Sequence, residues 1–239
     1  MKAFSIRCAK EILRDPLNLA FGLGFPLVLL VLLSAIQANI PVALFEIDNL
    51  TPGIAVFGLS FMTLFSATLI ARDRETALLQ RLYTTPLQAP DFILGYLLPM
   101  VPIALGQLAL CCLAAMPLGL TVSTRILWAI PGSFPIIVFY IALGLLCGSL
   151  LSVKQVGGVC GALLTNLSAW LSGVWFDLEL VGGVFRKIAK LLPFYHAVEL
   201  EKALFRGDLP LAHLLPVLLY ATLTTLLAIL AFLHQRKKQ

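Results

Sequence analysis

The sequence predicts an all-α integral membrane protein. It has six transmembrane helices, an N-terminal amphipathic interfacial helix, a short cytoplasmic helix between the second and third spans, and short outer re-entrant helices between the fifth and sixth, with both termini cytoplasmic. Three observations predict it. The 239 residues are 60% hydrophobic and 12% charged, with mean hydropathy +0.97, whereas soluble domains are about 25% charged. Six apolar runs have the ~20 residues that a helix needs to cross a bilayer. These runs are continuous rather than alternating. Only helices or closed barrels satisfy every backbone polar group in lipid, so helices are expected. No polar block of domain size interrupts them, and residues 1–239 read as a single membrane domain.

The elements follow in order. Residues 1–16 mix Lys2, Arg7, Lys10 and Arg14 with Phe4, Ile6, Ile12 and Leu13. This pattern predicts an interfacial helix whose apolar side chains face lipid while the basic ones meet headgroups. The apolar run from Leu17 to Ile36 is 20 residues long. Secretory h-regions have about 7–15, so the run is read as a retained first span. The spans fall near 17–37, 52–71, 92–116, 126–151, 157–176 and 211–233. With the N-terminus inside, the inner segments hold 11 Lys and Arg residues and the outer segments 6. This excess places both termini in the cytoplasm. Pro26, Pro99, Pro102, Pro131, Pro135 and Pro216 lie within spans and predict kinks.

Between spans two and three, residues 73–85 read as a short helix about 20 Å long. Ala77, Leu78, Leu79, Leu82 and Tyr83 cover one side, while Arg74, Glu75, Arg81 and Thr84 lie largely on the other. Pro86 stops it, and Pro90 suits the first turn of the next span. Such a helix is too short to span and is suited to a groove on a partner. The competing reading is a solvated connector. Farther on, Val181, Val184, Phe185, Ile188 and Leu192 recur at helical spacing, Pro193 breaks the pattern, and Tyr195 to Phe205 resumes it. Two short helices at about 180–206 are expected to dip into the outer leaflet or lie on it.

Several chemistries are missing. No Asp, Glu, Lys or Arg falls within the predicted spans, which disfavours ion-coupled transport and voltage sensing. There is no HExxH, and Ser60 lies mid-span while His196 and His213 lie in or near the outer segment, so no serine–histidine pair forms at one depth. A P-loop is absent. No basic patch interleaved with aromatics points to nucleic acid. The five cysteines show neither disulfide framework nor metal-ligand spacing with histidine, so no metal is expected. A transport protein of this composition needs an energised partner unless it is passive. Gln107, Asn166, Ser168, Trp170 and Ser172 are the candidate substrate path, and interhelical hydrogen bonding is the competing reading. Gly144 and Gly148, and Gly157 and Gly161, have the small-xxx-small spacing of a dimer seam or of packing within one chain.

The run Arg74-Glu75, Arg81-Leu82, Thr85-Pro86-Leu87 and Asp91-Phe92-Ile93-Leu94-Gly95-Tyr96 resembles the signature region of permease subunits of type-2 ABC transporters, of the multidrug or lipid exporter kind. Leu171-Ser172-Gly173-Val174-Trp175-Phe176 and Pro193-Phe194-Tyr195 resemble that family's fifth span and outer helices. The resemblance runs along essentially the whole chain. Within the signature the family often has Gly-Thr and a second Glu, where this chain has Ala77, Leu78 and Gln80. The resemblance implies that helix 73–85 is a coupling helix docked on a separate P-loop ATP-binding subunit. Arg74, Glu75, Leu79, Arg81 and Leu82 would make that contact, and Pro86 would stiffen the lever into span three. It also implies a second permease copy, identical or related, with ATP and Mg2+ bound by the partner and no catalysis or cofactor on this chain. The expected cargo is hydrophobic or amphipathic, a drug or lipid, moved outward across a bacterial cytoplasmic membrane. From the residues alone, a passive channel or facilitator and a membrane scaffold remain alternatives.

Overall fold

The computed structural model describes residues 2–40, 45–76, 89–121, 123–176 and 178–238, and every regular element among them is helical. Helix α1 (Lys2–Leu13) is followed by α2 (Pro16–Leu19), a π-helical stretch (Ala20–Gly24) and α3 (Phe25–Gln37). Next come α4 (Ile47–Glu75), α5 (Ala89–Ala115), α6 (Thr124–Gly132) and α7 (Phe134–Leu150). Helix α8 (Val153–Val156), a second π-helical stretch (Gly157–Leu164) and α9 (Thr165–Leu171) form one composite rod. Three short helices, α10 (Leu178–Val181), α11 (Gly183–Leu191) and α12 (Pro193–Arg206), precede α13 (Leu211–Lys238).

Five helical runs are long and apolar enough to cross a membrane: Ala20–Gln37, Ile47–Glu75, Asp91–Leu118, Thr124–Leu150 and Leu211–Gln235. They match five of the predicted spans to within a few residues. The predicted fifth span, 157–176, differs. Its helix starts at Val153 and stops at Leu171, and Ser172 to Phe176 form turns. Lys154, Gln155 and Asn166 dilute the rod, so it is not among the five. The rod and the turns that follow it still run the length of α4. Val153 sits beside Glu75 at one end, and Val174 abuts Gly53 at the other.

Helix α4 is the central post and is buried along nearly its whole length. Its small residues allow this. Helix α7 crosses it at Gly144 and Gly148, where a Cβ would overlap Ser66, the Thr63 carbonyl and the Ala67 backbone. Thr63 Oγ1 donates to the Tyr140 carbonyl at 2.8 Å and Ser66 Oγ to the Ile141 carbonyl at 3.3 Å, so close approach and hydrogen bonds coincide. Gly144 and Gly148 therefore serve packing within the chain. Gly157 has open space at its Cβ position, and Gly161 faces Leu64 at 3.5 Å. The outward faces of α3 and α13 are lined by Val28, Val31, Leu215, Leu219 and Leu230, as lipid contact requires.

Two expectations are corrected here. Asp73, Arg74 and Glu75, expected to open a separate coupling helix, form the last turn of α4. The helix continues because nothing between Ala71 and Glu75 breaks it, and Thr76 closes it by donating to the Arg72 carbonyl. Leu79, Arg81, Leu82 and Pro86 lie outside the described residues. Helix α1 forms as expected, but only Ile6 and Leu13 face outward. Phe4 and Ile12 are buried against the bundle. Gly95 supplies the reason, since its missing side chain leaves the space that the Phe4 ring fills.

Candidate functional site

A cleft of about 330 Å³ opens between α3, α4 and the composite rod. Its walls are Phe21, Phe25, Phe57 and Phe61 on one side and Gly161, Thr165, Asn166, Ala169, Trp170 and Trp175 on the other. The phenylalanines recur four apart in each helix, which puts each pair on one face. They meet edge to face: Phe57 and Phe61 have centroids 5.9 Å apart, Phe25 and Phe61 6.0 Å, and Phe57 and Trp175 6.0 Å. Both π-helical stretches border this cleft, one through Phe21 and the other through Gly161. Such stretches often mark functional sites. The second is supported by Thr165, whose hydroxyl donates at 2.9 Å to the carbonyl of Cys160, five residues back. The indole N–H of Trp175 is buried without a hydrogen-bond partner among the described residues.

The cleft collects two of the five candidate path residues. Asn166 and Trp170 line it, and Trp170 is 60% exposed, leaving its ring free to stack. The Asn166 amide donates to the Ala162 carbonyl at 2.8 Å. The others face elsewhere. Ser168 is buried and pairs with the Tyr140 hydroxyl at 2.8 Å. Ser172 donates to the Ala169 carbonyl at 3.0 Å. Gln107 is buried against Gly58, its amide 3.3 Å from the Ala55 carbonyl, and its Oε1 has no partner among the described residues.

At the end of α4 that carries α1, charged side chains join five elements, α1, α4, α5, α7 and α8. Arg7 grips Asp73 with two bonds, at 2.7 and 2.6 Å, and Tyr96 donates its hydroxyl to the same carboxylate at 2.8 Å. Arg7 also meets Glu11 at 2.6 Å. Burial raises the pKa of Glu11, while Arg7 pulls it back. Arg72 reaches Asp15 at 3.3 Å. Arg74 donates to the Ser149 and Leu151 carbonyls, the latter at 2.6 Å, and so covers orphan acceptors at the end of α7. Glu75 accepts from the Val153 amide at 2.9 Å at the start of α8. A carboxylate there complements the helix dipole. Arg74 and Glu75 thus clamp the α7–α8 turn to the last described turn before residues 77–88.

At the opposite end, α12 inserts Glu201 into the break between α6 and α7. That break lies between Pro131 and Pro135, and Ser133 occupies it. Ser133 Oγ lies 2.9 and 2.7 Å from the two Glu201 oxygens and 2.8 Å from the Ala129 carbonyl. Glu201 is fully buried, and burial raises its pKa to about 8.

A model of the ABC-2 type transporter family matches residues 1–204, from α1 to nearly the end of α12. The chain belongs to that family. No curated protein and no solved structure matches it. As an ABC-2 membrane domain it is a permease component of an ABC transporter, built from apolar helices suited to the membrane. In this ABC-2 permease the aromatic cleft is the candidate cargo site, and the clamp at Arg74 and Glu75 is the candidate coupling element. The sequence reading missed Phe21, Phe25, Phe57, Phe61 and Trp175, although the four-residue spacing of the phenylalanines was there to be read. It also missed the Arg7–Asp73–Tyr96 cluster. No local pattern announces a contact between residues 66 apart.

Proposed function

We propose that this ABC-2 permease is the membrane subunit of an ATP-driven exporter, moving a hydrophobic or amphipathic molecule with an aromatic or flat apolar part out across a bacterial cytoplasmic membrane. The observation that carries this reading is the aromatic cleft bordered by both π-helical stretches. Its rings offer dispersion and edge-to-face contact, while the exposed Asn166 side chain offers a polar group. On this reading the composite rod is a sixth membrane crossing, both termini are cytoplasmic, and the cleft opens toward a second permease copy. Leu79, Arg81, Leu82 and Pro86 meet the ATP-binding subunit, which holds ATP and Mg2+. Arg74 and Glu75 hand the resulting movement to α7 and the rod. The absence of a P-loop from the sequence supports the need for that partner.

The test is purification from the native host in mild detergent, followed by reconstitution into inside-out vesicles with a fluorescent aromatic amphiphile. The expected result is a copurifying P-loop ATPase and ATP-dependent uptake that Trp170→Ala reduces. Recovery of the chain alone, with flux indifferent to ATP, would replace the exporter with a passive facilitator.

A further inference from the structure

At the end of the molecule that carries Glu201, two histidines face one another. His196 stands in the first turn of α12 and His213 in the first turn of α13. Their Nδ1 atoms are 3.0 Å apart. The Nε2 of His196 lies 2.8 Å from the Lys190 carbonyl. A carbonyl only accepts, so this nitrogen carries the hydrogen, and Nδ1 of the neutral ring keeps its lone pair. One hydrogen, carried on His213 Nδ1, therefore holds the pair together.

We propose that His196 and His213 form a two-histidine site for a divalent transition metal, which replaces that shared hydrogen and ties α12 to α13. Distance supports it. Metal–nitrogen bonds of about 2.0–2.1 Å place two ligands about 3.3 Å apart at a tetrahedral angle and about 2.9 Å apart at a right angle. The observed 3.0 Å lies between these values, so small ring movements admit either geometry. The far-side bond from His196 to a backbone carbonyl is the orienting contact that metal-bound histidines usually make. The proton balance is simple. His213 moves its hydrogen from Nδ1 to Nε2 through solvent, and no net proton is released. Among the described residues no cluster of three His, Cys, Asp or Glu side chains occurs, so water fills the remaining positions and the ion exchanges freely. Lys190, whose Nζ lies 5.9 Å from the Tyr195 ring centroid beside the pair, opposes a dication and keeps binding weak.

The test uses the full chain purified without a polyhistidine tag, with Zn2+ as probe and Mg2+ as the hard-cation control. Wild type is expected to melt a few degrees higher with Zn2+ and unchanged with Mg2+. Co2+ is expected to give a visible absorption band. His196→Ala and His213→Ala are expected to lose both responses, each judged against its own melting in chelator. His213→Asn, which keeps a hydrogen-bonding group, takes the place of His213→Ala if that variant melts early. His234→Ala, at the other end of α13, is expected to keep both responses. No Zn2+ response in wild type overturns the site. So does a response that survives in both pair variants, which would place the metal on the thiols.

Discussion

Arg7 and Asp73 form a bidentate ion pair, with bonds of 2.7 and 2.6 Å, that joins the first helix of the chain to the last turn of its central post. Asp73 is 1% exposed, and Tyr96 occupies a further lone pair. A carboxylate so enclosed is costly once its cation is removed. Arg7→Ala is expected to destabilise the protein by about 3 kcal/mol, the low end of the range for a broken buried pair, because Arg7 itself stays partly solvated. Tyr96→Phe removes one bond of three and is expected to cost about 1–2 kcal/mol. Thermal unfolding in detergent checks the order. Equal melting of Arg7→Ala and wild type would refute it.

Gly144 and Gly158 make opposite predictions. At Gly144 a methyl group overlaps Ser66 Oγ and the Thr63 carbonyl, whereas at Gly158 it meets nothing within 4 Å. Gly144→Ala is expected to part α4 from α7, costing at least the about 1–3 kcal/mol typical of overpacking. Gly158→Ala is expected to leave the isolated chain's melting unchanged. Size-exclusion profiles and melting curves of the two variants compare them directly.

Glu201 gives the protein a pH dependence of unusual sign. Its pKa rises on folding from 4.5 to about 8, chiefly through burial, so between those values the folded chain binds more protons than the unfolded one. Stability is therefore full below about pH 4.5 and declines as pH rises through about 8. Hydrogen counting agrees. Ser133 has one hydroxyl hydrogen, and when it goes to Ala129 the bond to Glu201 needs the carboxyl's own proton. Glu201→Gln is expected to melt with wild type near pH ~5 and above it near pH ~9. Parallel melting of the two proteins across that interval would rule the account out.

Arg74 and Arg81 separate clamping from docking. Arg74 is spent on the Ser149 and Leu151 carbonyls. Arg74→Gln is expected to leave the ATP-binding subunit associated while reducing transport about tenfold, a loss of about 1.4 kcal/mol of coupling. Arg81→Glu is expected to abolish association itself. Copurification and vesicle uptake, measured on the same preparations, distinguish the two. Loss of the partner in both variants would return Arg74 to the docking surface.

How much of this was legible depended on range. Continuous apolar runs located five spans because burial in lipid acts on every residue of a helix, whatever its partners. The fifth predicted span failed at its edges. Lys154 and Gln155 lie inside the rod, where the Ser152–Gln155 capping box starts it, and a hydropathy window discards them. Asp73 read as the start of a cytoplasmic coupling helix because charge in a sequence carries no sign of burial. Arg7, 66 positions earlier, and Tyr96, 23 positions later, make its position tenable. Asn166 and Trp170 stood out as polar and aromatic oddities in one helix. Ser168 and Ser172 stood out equally but turned to Tyr140 and Ala169, because in the α-helix that starts at Thr165 they sit two positions on from Asn166 and Trp170, about 200° around the axis and so on the opposite face.

That irregular spacing has a mechanical side. Each π-helical stretch stores a surplus residue that a regular helix would have no room for. Drawing the surplus out of Gly157–Leu164 advances everything beyond it by one step, about 1.5 Å along the axis and about 100° around it. Asn166 and Trp170 would swing roughly a quarter turn away from Phe57 and Phe61, and the aromatic walls would part company without any helix leaving its neighbours. The slack lies in the backbone on both sides of the same hollow, so if the hollow holds cargo as proposed, a change of thread would open it at a fraction of the displacement that separating packed helices would demand.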